Sequence, residues 1–347
     1  MRAFLDLLLS TGTVASAVAL TGTPEKVIWE GAVGDARLGL PATPETRFDF
    51  ASLTKPFTFT LALVLDQDGT LPLSTRIGEV WSGANPRLGG RPLSDLLRHR
   101  SGLASWAPLY QLCRSREEVL PLLLDEPRMR PNRHAVYGDL DILLYGLAAE
   151  SVTGHPYERL VRSRVLDPLG LSLFVEPAPG DQPDVALSPI DTDKEVELAA
   201  QQGLAIPLQG PPPPGLPQDG NARFLVRLDG PRALPAHAGL FGRACDLWRL
   251  GSEWLEPRVL LNPEATAAAL RGNPFYLGWM RRDLKGSSGR ALAPGSFGHT
   301  GFTGGSLWID REQRRVLVLL AHRKDPSSDM NAWRRRFHAL AGATYIV

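Results

Sequence analysis

Cysteine is nearly missing. The chain of 347 residues holds two, Cys113 and Cys245, far apart in sequence. They form no CxxC pair and no disulfide framework, which argues against a structural zinc site and fits a reducing compartment. Both read as small buried side chains. HExxH and cysteine–histidine clusters are missing too, so no metal is expected. So is any Gly-rich phosphate loop of standard pattern, and no cofactor is expected. Excess charge is absent: the formal net charge is +1. That leaves no electrostatic footprint for nucleic acid or an anionic membrane. No stretch reaches the roughly 18 consecutive apolar residues of a membrane helix.

The apolar start "MRAFLDLLLSTGTVASAVAL" is broken by Asp6 and followed by Ser10, Thr11 and Thr13. It reads as a helix over 2–10 and the first strand of a hairpin, not as an export signal. A cytoplasmic protein is the expectation. Strands are expected near 14–21 and 26–33, around a turn at Gly22–Glu25.

Lysine is scarce as well. Five of the 38 basic residues are lysine: Lys26, Lys55, Lys194, Lys285 and Lys324. Lys55 falls inside the apolar run "FDFASLTKPFTFTLALVL". An unpaired lysine in a buried helix is costly, so this one has a partner or a use.

What is present is enough to fold. Apolar residues make up 43% of the chain, which allows one large domain or two intertwined ones. A long helix is expected from near Ser52 to just before "DQDGTL" at 66–71. Between about 93 and 168 the pattern is helical. One helix starts after Pro92 and stops at Gly102, and "DLDILLYGLAAESVTG" closes on Gly154 as its C-cap. From 175 to 235 proline and glycine dominate, and "IPLQGPPPPGLPQDG" reads as a loop. The segments "FTGGSLWID" and "RRVLVLLAHR" form an antiparallel hairpin around Asp310–Arg314. The terminal segment "DMNAWRRRFHALAGA" is an amphipathic helix, with Trp333, Phe337 and Leu340 expected to face the sheet. The fold class is therefore α/β (α+β). An antiparallel sheet comes from both termini, 1–70 with 237–347. A mostly helical insert spans 71–236, with a Pro/Gly-rich loop near 207–220.

Ser52 and Lys55 lie three residues apart, on one face of a helix, with β-carbons roughly 5–6 Å apart. A serine hydroxyl needs a base nearby to act as a nucleophile. A lysine serves if its pKa is lowered. Pro56 belongs in a first turn, which puts Ser52 at or just before the helix start. There, oriented N–H groups suit a developing oxyanion. By itself SxxK also fits a cap and a surface lysine.

The surrounding segments narrow the reading. "SLTK" at 52–55 resembles the first motif of the serine β-lactamase and penicillin-binding-protein superfamily. "LLRHRSGL" at 96–103 resembles the LLxHxSGL segment of its class C β-lactamase, D,D-peptidase and family VIII esterase branch. "YGDLDILLYGLAAE" at 137–150 resembles that branch's tyrosine motif, and "HTGFTGGSLWID" at 299–310 its third motif. "QDGNARFL" and "AHAGLFGRACDL" are similar to further segments of it.

The resemblance implies a β-lactamase/transpeptidase-like fold and an acyl-enzyme serine hydrolase. Ser52 would be the nucleophile, with Lys55 and Tyr137 sharing the proton transfers in an order the sequence leaves open. His299, Thr300 and Gly301 would begin an edge strand lining the site. The N–H groups of Ser52 and Phe302 would form the oxyanion hole. Asp139 stands where lactam-cleaving members usually have asparagine, and His299 where many have lysine. An ionised Asp139 accepts but cannot donate. It is expected to pair with Lys55 and raise its pKa. The fixed charge for a substrate carboxylate is absent unless His299 is protonated. His99 reads as structural, His237 as a structural or pocket-wall residue, and Asp219 and Asn221 as turn-shaping. A small ester or amide is the expected substrate. A D-amino-acid peptidase or weak β-lactamase is the alternative within the enzyme class, and a catalytically silent ligand sensor the alternative outside it.

Overall fold

The computed structural model describes residues 1–125, 129–130, 134–173, 184–188, 193–207, 212, 215–229, 234–324 and 327–343. Among these residues nine strands form: β1 (Val14–Gly22), β2 (Val27–Arg37), β3 (Leu40–Pro41), β4 (Phe48–Asp49), β5 (Phe241–Gly242), β6 (Met280–Arg281), β7 (Phe297–Thr300), β8 (Ser306–Asp310) and β9 (Arg315–Arg323). Seven of them make one sheet in the order β3-β2-β1-β9-β8-β7-β6, with every pair antiparallel. β1 and β9 lie side by side at its centre, Ala19 opposite Leu319. Both ends of the chain therefore build one antiparallel sheet, as expected. The hairpin β8–β9 closes where the charged turn placed it, with Asp310 opposite Arg315.

Successive strand side chains point to opposite faces, and here both faces are covered. Ala17, Ala19, Leu317 and Leu319 pack with Phe4, Leu8 and Phe337 from the two terminal helices, Arg2–Ser10 and Met330–Ala343. Val18, Leu20, Val316, Val318 and Leu320 pack on the other face with Leu247, Leu250 and Trp254 of helix Ala244–Leu255. Two covered faces explain why "RVLVLLA" is apolar at nearly every position rather than at alternate ones.

Several boundaries differ from expectation. β2 runs on to Arg37. The helix after Pro92 ends at Leu97, because His99 takes a left-handed conformation, φ 54°. In the terminal helix Leu340 is exposed, while Met330, Arg334, Phe337, His338 and Ala341 are buried. That spacing of four, three and four defines the face on the sheet, and Leu340 sits beside it. Two helices, Asp193–Ala200 and Gly220–Asp229, form within the Pro/Gly-rich stretch. Residues 208–211, 213 and 214 of the expected loop lie outside the described residues. Cys113 is buried, but Cys245 is only half-buried. Among the described residues no helix is long and apolar enough to cross a membrane.

Candidate active site

The serine lies in a strained turn. Ala51–Thr54 form one 3₁₀ turn, and the α-helix Lys55–Gln67 follows with Pro56 in its first turn. Ser52 thus sits just before the helix, three residues ahead of its first residue. Ala51 has φ 45°, a left-handed conformation that costs a non-glycine residue roughly 1–2 kcal/mol. Asp49 holds it: its Oδ1 accepts from the Ala51 N–H at 2.8 Å. The other oxygen of Asp49 accepts from Gln218 N–H at 2.7 Å and Ser188 Oγ at 3.2 Å. Burial pushes this carboxyl up to about 6, against the pull of those donors.

Lys55 is completely buried, yet its ammonium is not isolated. Nζ donates to Ser52 Oγ at 2.8 Å, to the His237 carbonyl at 3.1 Å and to Asp139 Oδ1 at 2.7 Å. An ammonium has three N–H donors, and three acceptors are in place. Burial pulls its pKa down; the charge of Asp139 and the Tyr137 phenol outweigh that and hold it above the ordinary lysine value. The expected pairing of Asp139 with Lys55 is therefore formed.

Tyr137 stands one residue before Gly138, the N-cap of helix Asp139–Thr153. Its phenol lies beside Lys55 and Ser52, with Lys55 Nζ 5.2 Å from the ring centroid. Burial pushes its pKa up, and the Lys55 ammonium opposes that rise. Asp139 is fixed by its own N–H, which donates to the Ser105 carbonyl at 2.7 Å.

The third motif closes the site from the sheet. His299 and Thr300 end β7 rather than begin it, and the short β6 pairs with the first half of that strand. A Cβ at Gly301 would meet the Phe50 carbonyl oxygen at 2.7 Å, so only glycine lets this segment touch the serine turn. Thr303 Oγ1 donates to the Asp49 carbonyl at 2.8 Å. Arg334 donates to the Gly301 and Gly305 carbonyls at 3.1 and 2.9 Å, clamping the loop that carries Phe302. His299 is buried behind Tyr137, with ring centroids 5.6 Å apart, and is not one of the cleft-lining residues. Burial and the Lys55 charge drive its pKa well below the ordinary value, so it is neutral at physiological pH.

Ser52, Tyr137, Asp139, Thr300, Gly301 and Phe302 all line one cleft of ≈ 510 Å³, a volume suited to a small ligand. One wall carries Asp139, Glu195 and Asp219; the other carries Arg323 at the end of β9 and Arg334 of the terminal helix. Burial and the neighbouring Asp219 raise the Glu195 carboxyl, against hydrogen bonds from Gly220 N–H at 2.9 Å and Tyr110 Oη at 2.7 Å. Asp219 is lowered in spite of burial, held down by His237 at 3.2 Å and the Ala222 N–H at 2.7 Å. Asn221 stays structural, bonded to the backbone of Leu109 and Ala107. Sequence reasoning missed Asp49, Glu195 and Arg334. Asp49 had a signal, a lone carboxylate in the same apolar run as Lys55.

A strained serine turn, a buried lysine against it and a cleft over both define a serine hydrolase. The Beta-lactamase sequence model matches residues 2–341, and the chain belongs to that family. It is 27% identical over 336 residues to a provisionally named D-alanyl-D-alanine carboxypeptidase of Escherichia coli K12, covering 84% of this chain and 73% of that one. Its fold is similar to EstCE1, described as a hydrolase with promiscuous acyltransferase activity, at TM-score 0.76 and 20% identity over 97% of each chain. A class C β-lactamase from Rhodobacter sphaeroides superposes at TM-score 0.72 with 18% identity, over 99% of each chain.

Proposed function

We propose that the protein hydrolyses small esters, or amides, through a covalent acyl-enzyme on Ser52. The observation that carries this is the 2.8 Å contact between Lys55 Nζ and Ser52 Oγ at the wall of the cleft. Ser52 Oγ attacks the substrate carbonyl, and its proton passes to Tyr137. The acyl–oxygen or acyl–nitrogen bond breaks, and the leaving group takes that proton. Water then enters by the reverse route and releases the acid. Lys55 is held as an ammonium by its three acceptors and has no lone pair for the serine proton; this supports Tyr137, as phenolate, as the acceptor and Lys55 as the charge that stabilises that phenolate. The N–H groups of Ser52 and Phe302 are the proposed oxyanion donors.

Asp139 offers only acceptors to the cleft, and His299 supplies no cation. Both support a neutral or weakly charged acyl group. The acyltransferase activity described for EstCE1 is consistent with an acyl-enzyme. A second reading, cleavage of a D-amino-acid peptide, is favoured by Arg323 and Arg334 on the wall opposite Asp139, where a terminal carboxylate fits. Only two cysteines, far apart in sequence and with no CxxC pair, support a reducing compartment.

Intact-mass spectrometry after reaction with a fluorophosphonate tests the assignment. One adduct per chain, on Ser52, is the expected result. An adduct that persists in Ser52→Ala would refute it.

Asp139→Asn gives a pH test. The Asp139 charge raises the pKa of both Lys55 and Tyr137. Removing it lowers both, so the rising limb of the pH–rate profile is expected to move to lower pH by about 1 unit or more. The sign holds whichever group takes the proton. A limb that stays fixed or moves upward contradicts it.

A further inference from the structure

We propose that His99 is the positioning residue for Tyr137, with Asp141 and Ser101 locking its imidazole from behind; the proposal rests on the reading that Tyr137 works on the Ser52 proton.

His99 is completely buried and does not line the cleft, so it cannot touch a substrate. Its backbone adopts φ 54°, a conformation that few side chains accept without strain. That turn brings His99 against both neighbours of Tyr137. The Val136 N–H donates to the His99 carbonyl at 3.0 Å, and the Gly138 N–H points to His99 Nδ1 at 3.3 Å. The imidazole also packs on the phenol ring, centroids 4.9 Å apart, and on Phe275 at 5.0 Å. One residue thus contacts positions 136, 137 and 138. A third tie follows at once, the Asp139 N–H to the Ser105 carbonyl. At Gly138 a Cβ would meet Ser105 Cα at 2.6 Å, so the segment is seated tightly from the other side.

The imidazole is itself held. Asp141 Oδ2 lies 3.5 Å from Nδ1, and Asp141 Oδ1 accepts a short hydrogen bond from Ser101 Oγ. Ser101 Oγ accepts from the Leu103 N–H at 2.9 Å. Burial pushes the Asp141 carboxyl up, and His99 and Ser101 oppose that rise. A buried histidine and aspartate are costly unless they fix something. The phenol they fix must hold its place within a fraction of an ångström of Ser52, because a 1 Å misplacement can cost about 100-fold in rate.

The test compares His99→Ala, His99→Asn and Tyr137→Phe on p-nitrophenyl butyrate, well below each melting temperature. His99→Ala is expected to lower kcat on the order of 10- to 100-fold with KM within about 3-fold, and to shift the rising limb of the pH–rate profile. His99→Asn is expected to recover most of that loss. Its Oδ1 can take the Gly138 N–H, and asparagine tolerates positive φ. If His99→Ala does not fold, Ser101→Ala replaces it and is expected to lower kcat about 3-fold or more, with the same limb shift. A lower melting temperature with unchanged kcat and pH profile makes His99 merely structural and overturns the proposal. Tyr137→Phe at wild-type rate overturns instead the reading beneath it, and the two failures are told apart by that variant alone.

Discussion

Ser52→Ala is expected to lower hydrolysis of p-nitrophenyl butyrate by on the order of 10³-fold or more while leaving the fold intact. The loss is large because the acyl bond forms on that oxygen, which stands 2.8 Å from the buried Lys55 ammonium. The fold survives for a specific reason. Ser52 is only half-buried, and Lys55 keeps Asp139 Oδ1 at 2.7 Å and the His237 carbonyl at 3.1 Å after the hydroxyl is gone. No buried charge is left alone, so the change in urea-unfolding free energy should stay within about 1 kcal/mol. Lys55→Ala is a poorer probe. It strands Asp139 without its cation, a change of the kind that costs roughly 3–5 kcal/mol when an ion pair is buried. Loss of activity there would mix chemistry with folding. Undiminished turnover in Ser52→Ala, with wild-type unfolding, would remove Ser52 from the mechanism.

How far the sequence could show this site depends on how far apart its partners lie. Ser52 and Lys55 were legible because three residues of helix geometry bring them together. The sheet was legible because the strands at both ends carry their own β-branched pattern and the β8–β9 turn is short and charged. Tyr137 had no local signal and was visible only through the resemblance of its segment to a known family. Asp49 joins residues 169 and 254 positions away, Gln218 and Thr303, so no window along the chain contains its role. Arg334 is one of three adjacent arginines, and only the packed face of the terminal helix distinguishes it. The same face explains Leu340. A spacing of four and three fits more than one stripe, and the sheet chose the stripe through Phe337 and Ala341. Proline and glycine between 175 and 235 hid two helices because composition records what breaks a helix, not the short runs between the breaks.

Tyr137→Phe is expected to lower kcat by roughly 10²- to 10⁴-fold, the scale of a lost proton-transfer group. The substitution removes one oxygen and keeps the ring that packs on His99 and Phe275. A small effect would return the serine proton to Lys55, which would first have to give up one of its three bonded hydrogens. The pH dependence separates the cases further. Burial pushes the Tyr137 pKa up, with Lys55 opposing, so phenolate is the minor form at neutral pH and the wild-type rate should climb into the alkaline range. Stability has the opposite slope. A pKa raised on folding adds stability that is fully present below the unfolded value, about 10 for tyrosine, and is lost as pH rises through the folded one. Above about pH 10 the wild type should therefore lose stability that Tyr137→Phe does not lose, since phenylalanine has no proton to release. Urea unfolding at pH 8 and at pH 10.5 measures that difference in both proteins. A rate that rises with pH while stability falls, both coupled to one phenol and both absent in the phenylalanine variant, identifies Tyr137 as the group that takes the serine proton.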